Sequence, residues 1–224
     1  MLRRIILQTT FWLAAQALLL FAPAGTLAWP QAWVYLAAMG GGSILVSAWL
    51  YVHDPALLRQ RMSAPVQRAQ PLWDRIFMIC LMIYFIVWLV VMGLDARFGW
   101  SQMPLWLEVV GALALLWTNY AFWVVFRANS YAAPVVKIQE DRGQRIITTG
   151  PYAIVRHPLY ASAFGFAFGA PLLLGSWIGF VLGVPMIFAF GYRVVGEEAT
   201  LTAQFPDYAD YASRVRYRLI PFVW

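Results

Sequence analysis

The sequence predicts an all-α, polytopic membrane protein. It should have about six transmembrane segments, the last two forming a helical hairpin, followed by a C-terminal interfacial helix. Three observations predict this fold. The chain of 224 residues is 62% hydrophobic and only 12% charged, against about 45–50% and about 25% in a soluble domain. Apolar stretches of the length a helix needs to cross a bilayer, roughly 20 residues, recur along it. Nearly all basic residues fall on alternate connections between those stretches.

The first stretch runs from about Ile5 to Ala28, the second from about Trp33 to Val52 and the third from about Ile76 to Leu94; none contains a charged residue. The fourth, about Pro104 to Phe126, carries Glu108 near its start, where the carboxylate can reach the interface by snorkelling. Pro158 to Tyr192 is long enough for two helices turning at Leu174, Gly175 and Ser176. Residues 1 to 28 admit a second reading as a secretory signal, because Arg3 and Arg4 precede an apolar run that ends in Thr26-Leu27-Ala28. The apolar run is longer than a usual signal core, and another span follows almost at once, which suits a membrane hairpin better.

Cytoplasmic loops are enriched in Lys and Arg. With the N-terminus inside, all sixteen basic residues except Arg97 fall on the inner face, so six crossings with both termini in the cytoplasm are expected. The net charge of +6 is then a basic rim beside anionic membrane lipids and calls for no nucleic-acid partner. Cys80 lies alone in an apolar helix, where it reads as a packing residue. His53 and His157 are far apart with no cysteine cluster near them, so no metal centre is expected.

Polar residues concentrate in two inner connections, 53–75 and 127–156. Asp54-Pro55 reads as the cap and first turn of a short interfacial helix whose arginines are solvated. Small residues recur four apart at Ala161, Gly165 and Gly169, then at Gly175, Gly179 and Gly183. That spacing predicts tight helix packing, though a glycine-walled cleft could also admit a flat ligand.

The densest polar stretch runs from Gln144 to Tyr160. In it Gly150-Pro151 and His157-Pro158 bend the chain, because the residue before proline is pushed out of the helical region. Irregular backbone at membrane depth survives only where protein or water covers it, so it often lines a site. After the last apolar stretch comes Arg193 to Glu198. On a continuing helix Arg193 and Glu197 share one face, while Glu198 points about a hundred degrees away. Charge spacing alone reads the first two as an interfacial ion pair.

Taken together, Gly150-Pro151-Tyr152, Arg156-His157-Pro158-Leu159-Tyr160, the stretch from Arg193 to Glu198, Leu201 and the ending from Tyr208 to Trp224 resemble the isoprenylcysteine carboxyl methyltransferase family. Asp54-Pro55 and Trp73-Asp74-Arg75 resemble the upstream loop of bacterial members. The resemblance implies N-terminal transmembrane helices over 1–52 and a methyltransferase core over 53–224. It implies S-adenosyl-L-methionine as cofactor, held in a cytoplasm-facing pocket by Gln144, Arg145, Ile146, Ile147, Tyr152, His157, Pro158, Leu159, Tyr160 and Glu197. It further implies Glu197 and Arg193 as the catalytic pair, the acid anchoring the cofactor and Arg193 meeting the acceptor carboxylate. The acceptor would be a lipophilic small molecule or lipid-modified compound arriving through the bilayer, by a gap between the third to fifth helices.

The chemistry is consistent with those roles. A sulfonium cofactor with an amino group suits aromatic faces and a carboxylate. A carboxylate nucleophile is ionised at neutral pH and needs no strong base. A phospholipid amine methyltransferase, an NADPH-dependent sterol-type reductase and a non-enzymatic membrane scaffold stand as alternatives. Two further expectations follow: Glu197 to Arg218 forms a helix on the inner membrane face, with Phe205, Tyr208, Ala212 and Val215 as its apolar stripe, and neutralising Glu198 leaves the site untouched.

Overall fold

A computed structural model describes residues 1–68 and 70–224. The architecture is helical throughout: α1 (Leu2–Ala24), α2 (Pro30–His53), α3 (Pro55–Arg61), α4 (Leu72–Phe98), α5 (Leu105–Ala128), α6 (Pro158–Leu174), α7 (Trp177–Gln204) and α8 (Tyr208–Arg214), with short 3₁₀ turns at Glu140–Arg142 and Gly150–Ala153. Among the described residues five helices, α1, α2, α4, α5 and α7, are long and apolar enough to cross a membrane. The sixth apolar helix, α6, has 17 residues, roughly 26 Å at the usual helical rise.

The short helix is the central one. It packs against α5, α7, α2 and α4, while α1 joins α2 to α4. The shared core draws on all six long elements through Leu20, Tyr35, Trp88, Leu115, Ala167 and Met186. The outside is apolar as well, with Phe11 and Phe188 among many exposed large hydrophobic side chains. A surface of this kind belongs in lipid, so the protein is an integral membrane protein. Cys80 is also exposed on α4; it faces outward and does not pack in the core as expected.

Lipid tails are as apolar as leucine, so helices in a bilayer associate through close packing more than through water exclusion. The glycine spacing serves that packing. A Cβ at Gly111 of α5 would stand 2.6 Å from the Gly169 carbonyl oxygen of α6, and one at Gly169 would stand 2.9 Å from the Ala114 Cβ. Gly183 of α7 similarly meets the Ala167 carbonyl of α6. The small residues therefore bring α5, α6 and α7 together backbone to backbone. The hairpin turn falls at Gly175 and Ser176 as expected: Gly175 takes φ 77°, a conformation that favours glycine.

At this far end Asp95 accepts bonds from the Ser101 backbone N–H at 2.8 Å and its hydroxyl at 2.7 Å. Ser176 donates to Asp95 as well, and its oxygen caps α7 by accepting from the Gly179 N–H at 2.8 Å. Glu108 accepts from Gln31 Nε2 at 3.0 Å at the start of α5, in keeping with an interfacial acid.

At the opposite end the long connections pack onto one another. Asp54 caps α3 by accepting from the Leu57 N–H at 2.9 Å, with Pro55 as the first helical residue. The expected helix from Glu197 to Arg218 is broken: α7 ends at Gln204, Phe205 to Asp207 turn, and α8 covers only Tyr208–Arg214. Pro206 is the reason, because it has no N–H to continue the helix and its ring clashes with the preceding turn. Tyr208 and Tyr211 of α8 point inward and are buried, so that face covers protein.

Candidate active site

The connection between α5 and α6 is irregular, yet side chains hold it almost everywhere. Asn129 ends α5 and accepts from the Tyr131 N–H at 2.8 Å. Gln139 donates to the Tyr131 carbonyl at 2.8 Å, and its own N–H donates to Gln144 Oε1 at 2.8 Å. Arg142 donates to Gln139 Oε1 at 2.6 Å and to the Ser130 hydroxyl at 2.8 Å. Backbone without regular structure needs such partners once it is covered.

The middle of this loop is fastened by Asp74 and Arg193. Arg193 Nε donates to Asp74 Oδ1 at 2.9 Å, and its Nη2 donates to the Pro134 carbonyl at 2.9 Å. Asp74 also accepts from the Val136 N–H at 2.9 Å and from Gln70 Nε2 at 2.5 Å. Asp74 is completely buried and Arg193 nearly so. The guanidinium lies 5.4 Å from the Phe77 ring centre and 5.6 Å from that of Tyr160. Two of its donor nitrogens are thus committed to the protein. The side chain expected to meet an acceptor carboxylate instead meets an internal one.

Between this loop, the start of α6, the end of α7 and α8 opens a cleft. The structure brings Gln144, Arg145, Ile146, Ile147, Tyr152, His157, Leu159, Tyr160 and Glu197 together on its walls. Pro158 and Arg193 are not on the lining. Pro158 opens α6 and is buried in it, its fixed backbone angle suiting the first helical position. Sequence reasoning missed Asn129, Tyr131, Val135, Val136, Tyr208 and Tyr211. The adjacent apolar pair at Val135 and Val136 carries no signal of its own; the sequence places Tyr208 on an apolar stripe facing the membrane and singles out nothing at Tyr211.

Glu197 accepts from the Tyr160 hydroxyl at 2.6 Å through Oε2, and among the described residues no donor bonds its Oε1. Tyr160 stacks on Phe190 at 5.7 Å. Tyr152 receives a bond from Asn129 Nδ2 at 2.7 Å, and its carbonyl accepts from the Tyr211 hydroxyl at 2.8 Å. Burial raises the Tyr152 and Tyr208 phenols and pushes Tyr211 up to about 12, so all three are neutral at physiological pH.

Glu198 turns away from the face of Arg193 and Glu197, as helical geometry requires, but it is not an idle side chain. Arg156 Nε pairs with it at 2.7 Å, Arg218 Nε donates to it at 2.7 Å, and His157 Nε2 lies 3.2 Å from it. The Tyr208 hydroxyl donates at 3.3 Å. The C-terminal strap closes the same corner: the Arg156 and His157 N–H groups donate to the Tyr217 and Arg218 carbonyls, each at 2.9 Å. The expectation that neutralising Glu198 would leave the site untouched is therefore corrected. One carboxylate gathers the start of α6, the end of α7, α8 and the strap.

Among the described residues no group of three His, Cys, Asp or Glu side chains could hold a metal ion. The cleft wall carries the Glu197 carboxylate, several tyrosine phenols, the cationic side chains of Lys137, Arg145 and Arg156, the His157 imidazole and apolar side chains.

Comparison with known proteins points to the same part of the chain. Over 91 residues it is 34% identical to a Protein-S-isoprenylcysteine O-methyltransferase of Schizosaccharomyces pombe, a stretch that covers 40% of this chain and 39% of that relative. Over 79 residues it is 35% identical to the Nickel-cobalt-cadmium resistance protein NccN of Alcaligenes xylosoxydans xylosoxydans, covering 34% of this chain and 37% of that relative. The chain thus spans less than half the length of either relative. Residues 109–203, from the first turns of α5 through the cleft loop and α6 to the end of α7, match the Isoprenylcysteine carboxyl methyltransferase (ICMT) family.

Proposed function

We propose that this protein transfers a methyl group from S-adenosyl-L-methionine to a lipophilic acceptor in the membrane, at the cleft beside Glu197, on the cytoplasmic side of a bacterial inner membrane. The observation that carries the reading is the cleft itself. It gathers the Gln144 to Ile147 stretch, Tyr152, His157, Tyr160 and Glu197 within the segment that matches the family.

The residues present fit this cofactor. Glu197 keeps one carboxylate oxygen without a protein donor, the arrangement an amino or hydroxyl group needs for a charge-assisted bond. Tyr152, Tyr160 and Tyr211 present neutral aromatic surface to a sulfonium. Ile146, Ile147 and Leu201 supply apolar contact for a flat base. When bound, the cofactor supplies an electrophilic methyl group that an acceptor oxyanion takes in line, with the sulfur leaving as a neutral thioether.

The protein's share of such a reaction is alignment and exclusion of water. The Asp74–Arg193 pair holds Pro134 and Val136 in place, so the loop wall facing α6 keeps its position. The Glu198 corner holds His157 and α8. Tyr160 orients Glu197. An acceptor carboxylate is already ionised at neutral pH, so none of these groups has to remove a proton.

The test is a calorimetric titration of the purified protein with S-adenosylhomocysteine and, separately, with NADPH. S-adenosylhomocysteine should bind and NADPH should not. Glu197→Gln should weaken binding by about 1.5–3 kcal/mol, the usual value of a hydrogen bond to a charged group. A wild-type protein that ignores S-adenosylhomocysteine, or binds only NADPH, would overturn the assignment.

A further inference from the structure

Arg61 ends α3, and the sequence reads it as one of several solvated arginines on an interfacial helix. The structure separates it from Arg59: Arg59 is exposed, whereas Arg61 is partly buried. Its guanidinium carbon lies 4.5 Å from the centre of the Phe126 ring, and its Nη1 donates a long 3.3 Å bond to the Ala132 carbonyl. Among the described residues no carboxylate comes within 4.0 Å of it; the ion pairs belong to Arg142, Arg156, His157, Arg193, Arg214 and Arg218.

A cation drawn away from water is normally paired, because the loss of hydration is large unless an anion or good acceptors replace it. Among the described residues Arg61 has one weak acceptor, and its two further nitrogens bond no protein atom. Those nitrogens are not sealed from the surface. The sealed side-chain nitrogens without a hydrogen-bond partner are Gln16 Nε2 and Arg156 Nε, the latter facing Glu198 as an ion pair.

The surroundings give this charge a direction. Ala132 and Leu159 line the cleft and also pack in the apolar cluster formed by Leu50, Leu57, Leu58 and Phe126. Burial lowers the Arg61 pKa to about 10, and Tyr160 and Arg193 are near enough to influence it. Arg61 therefore stays charged at neutral pH. It is not itself on the cleft lining but adjoins it through Ala132, where the cleft wall meets an apolar cluster at the ends of α2 and α5. An unneutralised cation beside apolar side chains is complementary to an amphiphile with an anionic head.

We propose that Arg61 binds the carboxylate head group of the lipophilic acceptor, and that Arg193, already held by Asp74, positions the loop wall. This assignment rests on the methyl-transfer reading for the identity of the bound molecule as an acceptor, but its own content is recognition of a lipophilic acid.

The experiment measures binding of N-acetyl-S-farnesylcysteine and of its uncharged carboxamide to purified protein in nanodiscs, with S-adenosylhomocysteine titrated in parallel. The wild type should prefer the acid over the amide by at least about tenfold, in line with a charge-assisted bond. Arg61→Gln should erase that preference and leave S-adenosylhomocysteine affinity within about twofold, which also shows that the variant is folded. Arg61→Lys should retain part of the preference, because it keeps the charge and loses the planar fork. Equal binding of acid and amide by the wild type, or an undiminished preference in Arg61→Gln, overturns the proposal. Absence of S-adenosylhomocysteine binding beside a preference for the acid that depends on Arg61 would instead overturn the methyl-transfer reading and leave acid recognition standing.

Discussion

Glu198→Gln is the substitution whose effect the structure changes most. The carboxylate sits in a mostly buried corner, its side chain 12% exposed, with Arg156 and Arg218 each 2.7 Å away and His157 at 3.2 Å. The amide keeps the shape and removes the charge. One of its two polar ends becomes a donor facing guanidinium donors, so at least one arginine bond is lost and the other weakens. Breaking a buried pair by removing one partner costs about 3–5 kcal/mol, because the remaining charge is left uncompensated. Arg218 is about a third exposed, so water screens its share and the lower end, about 3 kcal/mol, is expected. The assay is thermal unfolding in detergent followed by tryptophan fluorescence, with Glu197→Gln measured beside it. Glu197 has a single protein partner, Tyr160, and its substitution should cost only about 1 kcal/mol of stability. The Glu198 variant should melt several degrees below the Glu197 variant. If the two melt together near wild type, the corner is not held by that charge.

Three more outcomes follow from the same geometry. Asp74→Asn leaves Arg193 buried without a charged partner and should destabilise the protein by about 3–5 kcal/mol; limited proteolysis should then cut the loop around Pro134 sooner, and an unchanged cleavage pattern would contradict its anchoring role. Gly111→Ala places a methyl group against the α6 backbone and should cost about 1–3 kcal/mol by overpacking, whereas Gly41→Ala, with nothing within 4 Å of the new carbon, should be silent in the same thermal assay. A reporter fused after Trp224 should be active only as a cytoplasmic fusion, because that orientation places all basic residues except Arg97 inside; periplasmic activity there would reverse the topology and put the cleft on the other side.

The sequence by itself determined the membrane class, the apolar helices and the hairpin turn. Each rests on local physics: runs of apolar residues long enough to satisfy their backbone within lipid, and a glycine where the turn needs positive φ. Through the family resemblance carried by the contiguous stretch around Gly150-Pro151 and His157-Pro158, it also pointed to nine of the residues on the cleft wall. The tertiary structure alone decided where the charges go. Asp74 and Arg193 are 119 positions apart, and nothing local in either says that they pair across the bundle. Glu198 reads as an outward side chain on α7 until the C-terminal strap and α8 fold back over it. Arg61 looks like Arg59 in sequence, and only the packing of α3 against α2 and the loop that follows α5 leaves one in water and draws the other in. Helical periodicity settles the face on which a side chain stands. The partner waiting at that face is set by elements far away in the chain, because salt bridges and buried hydrogen bonds form wherever folding has removed water.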